Sequence, residues 1–153
     1  MKKIPLTQGK FALVDDEDFE ELSKHKWYAA KQRTDNFYAV RYKKRRMIYM
    51  HRTLLCVQWE KHVDHKDGDG LNNMRSNIRI CTQQENNRNK RISLTSVSGL
   101  KGVSLHKTTG KWVARIMVNM KSIHLGYFLN KNDAHEAYCV AAKKYHGEFA
   151  NTG

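Results

Sequence analysis

Long apolar runs are missing from this 153-residue chain, and no stretch approaches the ~18 residues that a membrane-spanning helix requires. The opening "MKKIPLTQGK" has two lysines but no apolar segment behind them, which excludes a secretory signal. Cysteines are few, odd in number and widely separated (Cys56, Cys81, Cys139). They fit neither a disulfide framework nor a paired zinc ribbon, and read as small core thiols of a cytoplasmic protein in a bacterial or phage-infected cell. Acids are scarce as well, 15 against 28 Lys and Arg, which leaves a net charge of +13. Excess base of that size points to a polyanionic partner, nucleic acid before others. The length of 153 residues leaves room for one domain of ordinary size, or two or three small ones, and the apolar share of 40% is enough for small cores.

Patterning along the chain predicts an α+β protein in four segments. In residues 1–50, a β-rich subdomain, "KFALVDD" reads as a strand and a short helix starts near Asp16, with acids in its first turn. "FYAVRY" and "RRMIYMH" alternate as two strands around a basic turn at Lys43–Lys44. In residues 51–91, "HRTLLCVQW" predicts a helix, "KHVDH" and "IRICT" two strands, and "KDGDGLNNMRSN" the long turn between them. Thr82 and Glu85 have the spacing of a capping box, so a helix from Gln83 to about Arg91 should follow. Residues 92–98, "ISLTSVS", show no period and read as a linker. Residues 99–150 alternate through "GVSLH", "KWVARIMV" and "SIHLGYF". A helix over Lys131–His146 comes next, with Asn130 to cap its start and Gly147 its end.

Because acids are scarce, the cluster in "VDHKDGDG" (63–70) needs a reason. A calcium loop would place a Glu twelfth, but Arg75 stands twelfth from Asp64 and Ile78 twelfth from Asp67. A surface turn explains the Asp-Gly pairs and leaves the downstream residues unexplained. Twelve positions after His65 lies Asn77, and nine further, on the capped helix, Asn86. His65 at the end of a strand, Asn77 near the next and Asn86 on the following helix resemble the HNH nuclease motif across residues 51–91, a ββα-metal unit. "DGDGLNN", "SNIRICT" and "QQENNRN" carry the same likeness.

That resemblance implies a metal-dependent endonuclease acting on double-stranded DNA. Imidazole is the side chain suited to general-base work near neutrality, which fits His65. Asp64 and Asn86 offer hard oxygens for Mg²⁺ or Mn²⁺. Asn77 would orient the histidine-bearing loop. The family often has His where this chain has Asn86. Neighbouring residues of a regular strand face opposite sides, so Asp64 and His65 share a site only if the strand bends there. His51 reads as structural, and Asp67 and Asp69 as turn residues.

The last segment resembles the plant Apetala/ethylene-response-factor DNA-binding domain over residues 98–150, through "KGV", "GKW", "LGYF" and the Ala-rich helix. Such a domain lays a three-stranded antiparallel sheet, packed on one helix, into the major groove. By alternation Val103, Leu105, Trp112, Ala114, Ile116, Val118, Ile123 and Leu125 face the helix. Lys101, Ser104, His106, Arg115, Met117 and His124 lie opposite. Arg115 suits a bidentate contact to guanine, while Lys107, Lys111 and Lys121 near the turns suit phosphate. The combination looks like the free-standing homing endonucleases of phages and bacteria. A non-catalytic DNA-binding regulator on the same scaffold is the rival reading, and an RNA-binding protein lacks its stacking motifs here.

Overall fold

A computed structural model describes residues 1–32, 36–58, 60–92 and 95–153. Its contacts divide the chain into two compact units, Met1–Gln83 and Gln84–Gly153. No helix among the described residues is long and apolar enough to cross a membrane.

In the first unit β1 (Lys2–Pro5) and β2 (Phe11–Val14) form an antiparallel hairpin, and α1 (Asp16–Ser23) follows. A three-stranded sheet is then built in the order β3 (Tyr28–Lys31), β4 (Phe37–Lys43), β5 (Arg46–Tyr49). Next come α2 (Met50–Leu54) and the antiparallel ribbon of β6 (His62–His65) and β7 (Ile78–Cys81). Ile4, Val14, Leu22, Trp27, Ala39, Met50 and Ile78 from these elements share one core. Trp27 sits within it and donates its indole N–H to the Leu22 carbonyl at 2.8 Å, which meets the cost of burying that group.

Three expectations change here. The basic turn falls at Lys44–Arg45, both with positive φ, one residue later than predicted. Met50 and His51 open a helix and do not prolong β5. That helix stops at Leu54 and so does not reach Gln58; Trp59, at the end of the predicted span, lies outside the described residues. Strands β1 and β3 were not anticipated, because "KKIP" and "YAAK" are too short to show a period.

The second unit carries α3 (Gln83–Asn89, from its second residue), then β8 (Val103–Leu105), β9 (Trp112–Val118), β10 (Lys121–Phe128) and α4 (Lys131–His146). α3 begins one residue past Thr82, as the capping box predicts, and ends at Asn89, short of Arg91. Residues 93 and 94 of the expected linker lie outside the described residues; Ser98 at its end is buried and donates to Leu100 and Val103 carbonyls. The sheet order is β10-β9-β8, all antiparallel, with α4 against one face. Asn130 caps α4 by accepting from Asn132 N at 2.9 Å, and Gly147 ends it with φ 55°. Ala134, Tyr138, Ala141 and Ala142 are the buried stripe of α4 and pack on Val103, Ala114 and Ile116. Gly102 is required, because a Cβ there would run into the Tyr138 ring.

Two positions depart from simple alternation. Leu105 is exposed, at the last residue of the short edge strand, and Val113 is buried on the opposite side of the sheet. Between His124 and Gly126 the register shifts by a β-bulge. The extra residue reverses the parity of the rest of the strand, so Tyr127 stands exposed beside the polar face and Phe128 packs toward α4.

Candidate active site

β6 ends at His65, and the loop after it is fastened largely by its own polar side chains. Asp67 Oδ1 accepts from Asp69 N at 2.8 Å and from Asn77 Nδ2 at 3.0 Å, and its Oδ2 accepts from Asn72 Nδ2 at 2.7 Å. Asn77 returns a bond by accepting from Asp67 N at 3.1 Å and also donates to the Asn72 carbonyl at 2.8 Å. Burial alone would raise the Asp67 pKa, yet these donors together hold it below its ordinary value. Asp69 closes a further turn by accepting from Leu71 N at 2.9 Å.

Residues from far earlier in the chain support the loop. Asn36 donates to the Gly68 carbonyl at 3.0 Å and accepts from Gly70 N at 3.1 Å. A Cβ at Gly70 would collide with the Phe37 carbonyl and with the Tyr38 ring, so only glycine fits. Leu13 N donates to Leu71 O and Asn73 N to Leu13 O, binding the loop to β2. Arg75 reaches Asp18 with two bonds of 2.8 and 2.7 Å on α1. The opening segment is thus the floor under the loop.

Asp64 and His65 are both buried. Asp64 lies opposite Arg79 across the ribbon, and its Oδ2 accepts from both Arg79 Nε at 2.9 Å and a terminal nitrogen at 2.8 Å. His65 pairs with Ile78 and meets the rings of Tyr38 (centroids 5.6 Å) and His51 (5.0 Å, edge-on). The ladder runs unbroken through both residues, and the Asp64 charge acts on both the His65 and the Tyr38 rings. Burial pushes the His65 pKa below its ordinary value, against the pull of Asn73 and of the charges of Asp67, Asp64 and Asp69. A neutral ring, able to accept a proton, is the result at pH ~7.

His51 is buried in the same ring cluster, beside Tyr38 at 5.3 Å and Tyr49 at 5.4 Å. Burial first, then His65 and Arg52, bring its pKa down to about 3. Asn86 stands half-buried on α3, in the second unit. No group of three or more His, Cys, Asp or Glu among the described residues gathers as a metal centre. Asp64 offers a carboxylate oxygen and Asn86 an amide oxygen, each a hard donor by its chemistry. Sequence reasoning missed Arg79 and Asn36. Their roles depend on cross-strand and long-range pairing, though Arg79 stands fifteen residues from Asp64 on the facing predicted strand, which was a usable signal.

On the second unit Ser104, Lys107, Lys111, Arg115, Lys121 and His124 are exposed. Arg115 and His124 are register partners, and Tyr127 meets His124 at 4.6 Å and His106 at 5.4 Å. His106 is half-buried, its Nδ1 2.9 Å from the Thr109 hydroxyl. Lys101 is a correction. Its ammonium donates to the Arg88 and Lys90 carbonyls at 2.7 and 2.6 Å, and burial lowers its pKa to about 8, so it ties down the end of α3.

The profile of the HNH endonuclease family matches residues 56–88. Over 149 residues, 94% of this chain and 74% of the other, the sequence is 30% identical to an uncharacterized HNH endonuclease of Acanthamoeba polyphaga mimivirus. Protein 3.8 of Escherichia phage T7 is 37% identical over 51 residues, 33% of this chain and 42% of that one. The chain belongs to the HNH endonuclease family, whose members generally use divalent metals.

Proposed function

We propose that this protein is a metal-dependent, site-specific endonuclease of the homing type, acting on double-stranded DNA. The observation that carries the reading is the loop after His65, which Asp67, Asn72 and Asn77 lock at the end of the strand bearing the base. His65 takes the proton of the attacking water; its burial favours the neutral ring that this step needs. Asn77 is a positioning residue, holding the loop by hydrogen bonds. Asp64 and Asn86 would supply oxygen ligands for Mg²⁺ or Mn²⁺. When bound, that ion neutralises charge growing on the phosphate and stabilises the departing 3′-oxygen. Arg79 balances the Asp64 charge and keeps its carboxylate oriented until a cation shares it.

The outward face of β8–β10 is the recognition surface in this reading, with Arg115 for a base edge and Lys107, Lys111 and Lys121 for phosphate. Lys101 supports that face from behind by holding α3. The test is supercoiled plasmid, incubated with and without Mg²⁺ and read for open-circular and linear product. EDTA should abolish cutting, Mg²⁺ or Mn²⁺ should restore it, and Asp64→Ala should lose the rescue. His65→Ala should slow cleavage by roughly two to four orders of magnitude with DNA affinity kept. Cleavage by that variant within about tenfold of wild type would remove His65 from the role.

A further inference from the structure

The β4–β5 hairpin is built in a way that stability alone does not explain. Its two-residue turn has Lys44 at φ 50° and Arg45 at φ 64°, the left-handed conformation of a tight hairpin turn. Asn-Gly is the pair that adopts it without strain, and other residues adopt it at a cost. This chain places two long cations there. Lys43 and Arg46, paired across the strands, flank them, and Tyr42 and Met47 beneath are 60% and 37% exposed. From residue 36 to residue 50 the sequence has five basic residues and no acid. Strain retained at an exposed tip calls for a functional reason.

Beside the base of the hairpin opens a cleft of about 350 Å³, lined by Lys24, His25, Lys26, Tyr28, Arg41 and Tyr42. The Arg41 guanidinium lies 5.5 Å from the Trp27 ring centre, and its Nε is buried with no hydrogen-bond partner among the described residues. Lys24 is bound to Glu21 at 2.5 Å; Lys26 lies over the Tyr28 ring at 5.9 Å and carries no ion pair among the described residues. The volume and the basic lining suit one phosphodiester group with its sugar.

We propose that this face of the first unit, the Lys43–Arg46 tip with the adjoining cleft, is a second DNA-backbone contact separate from both the His65 loop and the β8–β10 face. It rests on the reading of DNA as substrate and adds where the duplex is gripped outside the cleaved bond. The tip cations engage phosphates across a groove, and the cleft takes one phosphate of the same strand.

The turn itself supplies the test. Lys44→Asn with Arg45→Gly gives the hairpin its preferred turn pair while removing two charges, so weaker binding cannot be ascribed to a damaged fold. Full-length wild type and variant are titrated onto a fluorescent duplex in EDTA over a range of salt. The variant should bind about tenfold more weakly at moderate salt, and its slope of log affinity against log salt should be shallower by roughly 0.9 for each phosphate no longer engaged. Its thermal midpoint should hold or rise. Lys26→Gln should give a smaller loss in the same direction. Unchanged affinity and slope in both variants overturn the proposal. If His65→Ala abolishes cutting while both hairpin results are null, the nuclease reading stands and this one falls. If wild type never cuts yet the hairpin variant loses slope, the contact stands and the catalytic reading falls.

Discussion

In the second unit β8, β9, β10 and α4 follow one another along the chain, and each packs on its sequence neighbour. In the first unit the loop after His65 is held by Asn36, Leu13 and Asp18, more than thirty residues away. One part is assembled locally and the other by distant polar contacts. Sensitivity to mutation should therefore differ in kind. The first unit should respond sharply to changes far from the His65 loop, and the second should tolerate changes on its exposed sheet face.

The sharpest test of that contrast is Gly70→Ala. A methyl group forced against the Phe37 carbonyl and the Tyr38 ring should lower the stability of the first unit by about 3 kcal/mol, with cleavage falling alongside it. Urea denaturation followed by fluorescence in a Trp59→Phe, Trp112→Phe background, which leaves Trp27 as the reporter, would measure it; a loss below about 0.5 kcal/mol would mean the loop is not seated on that floor.

Acid should weaken the first unit next. His51 has a folded pKa of about 3 against 6.5 unfolded, so between those values the unfolded chain binds a proton that the folded one refuses. Stability is then full above the unfolded pKa and declines as pH falls toward 3. Between about pH 7 and about pH 4.5 the loss should be about 2–3 kcal/mol, and His51→Phe should flatten much of it. An unchanged acid limb in that variant would refute the assignment.

On the second unit Arg115→Ala should leave stability alone and cost about 1–3 kcal/mol of preference at one base pair, read by competition among variant duplexes. Equal weakening on every sequence would make Arg115 a phosphate contact instead. The smallest effect belongs to Lys101→Gln. Losing its bonds to the Arg88 and Lys90 carbonyls should cost about 1 kcal/mol in denaturation, without changing which base pairs are preferred.

How far each unit could be read beforehand follows the same division. Alternation and caps located β9, β10 and α4 within a residue or two, because their partners are adjacent in sequence. Tyr127 escaped because a bulge after His124 reverses parity, and no local residue announces one. In the first unit spacing picked out His65, Asn77 and the turn acids, and the stapled loop accounts for Asn77, Asp67 and Asp69. Arg79 facing Asp64 and Asn36 under Gly70 depend on pairings that only the folded chain supplies. Lys101 went astray for a similar reason. Its parity was right for the polar face, but carbonyls at the end of α3 lie within reach of its ammonium.

Gly70 also bears on how such a protein can be cut and recombined. The stretch recognisable by family resemblance, residues 56–88, is not a transplantable part. Its loop rests on Asn36, Phe37 and Tyr38, and any exchange between relatives that joined a foreign opening segment to this motif would have to reproduce the same narrow seat. Inheritance of the two stretches should therefore be linked. A chimera with its junction near residue 50 should lose its fold, whereas one that carries the opening segment along with the motif preserves the fit.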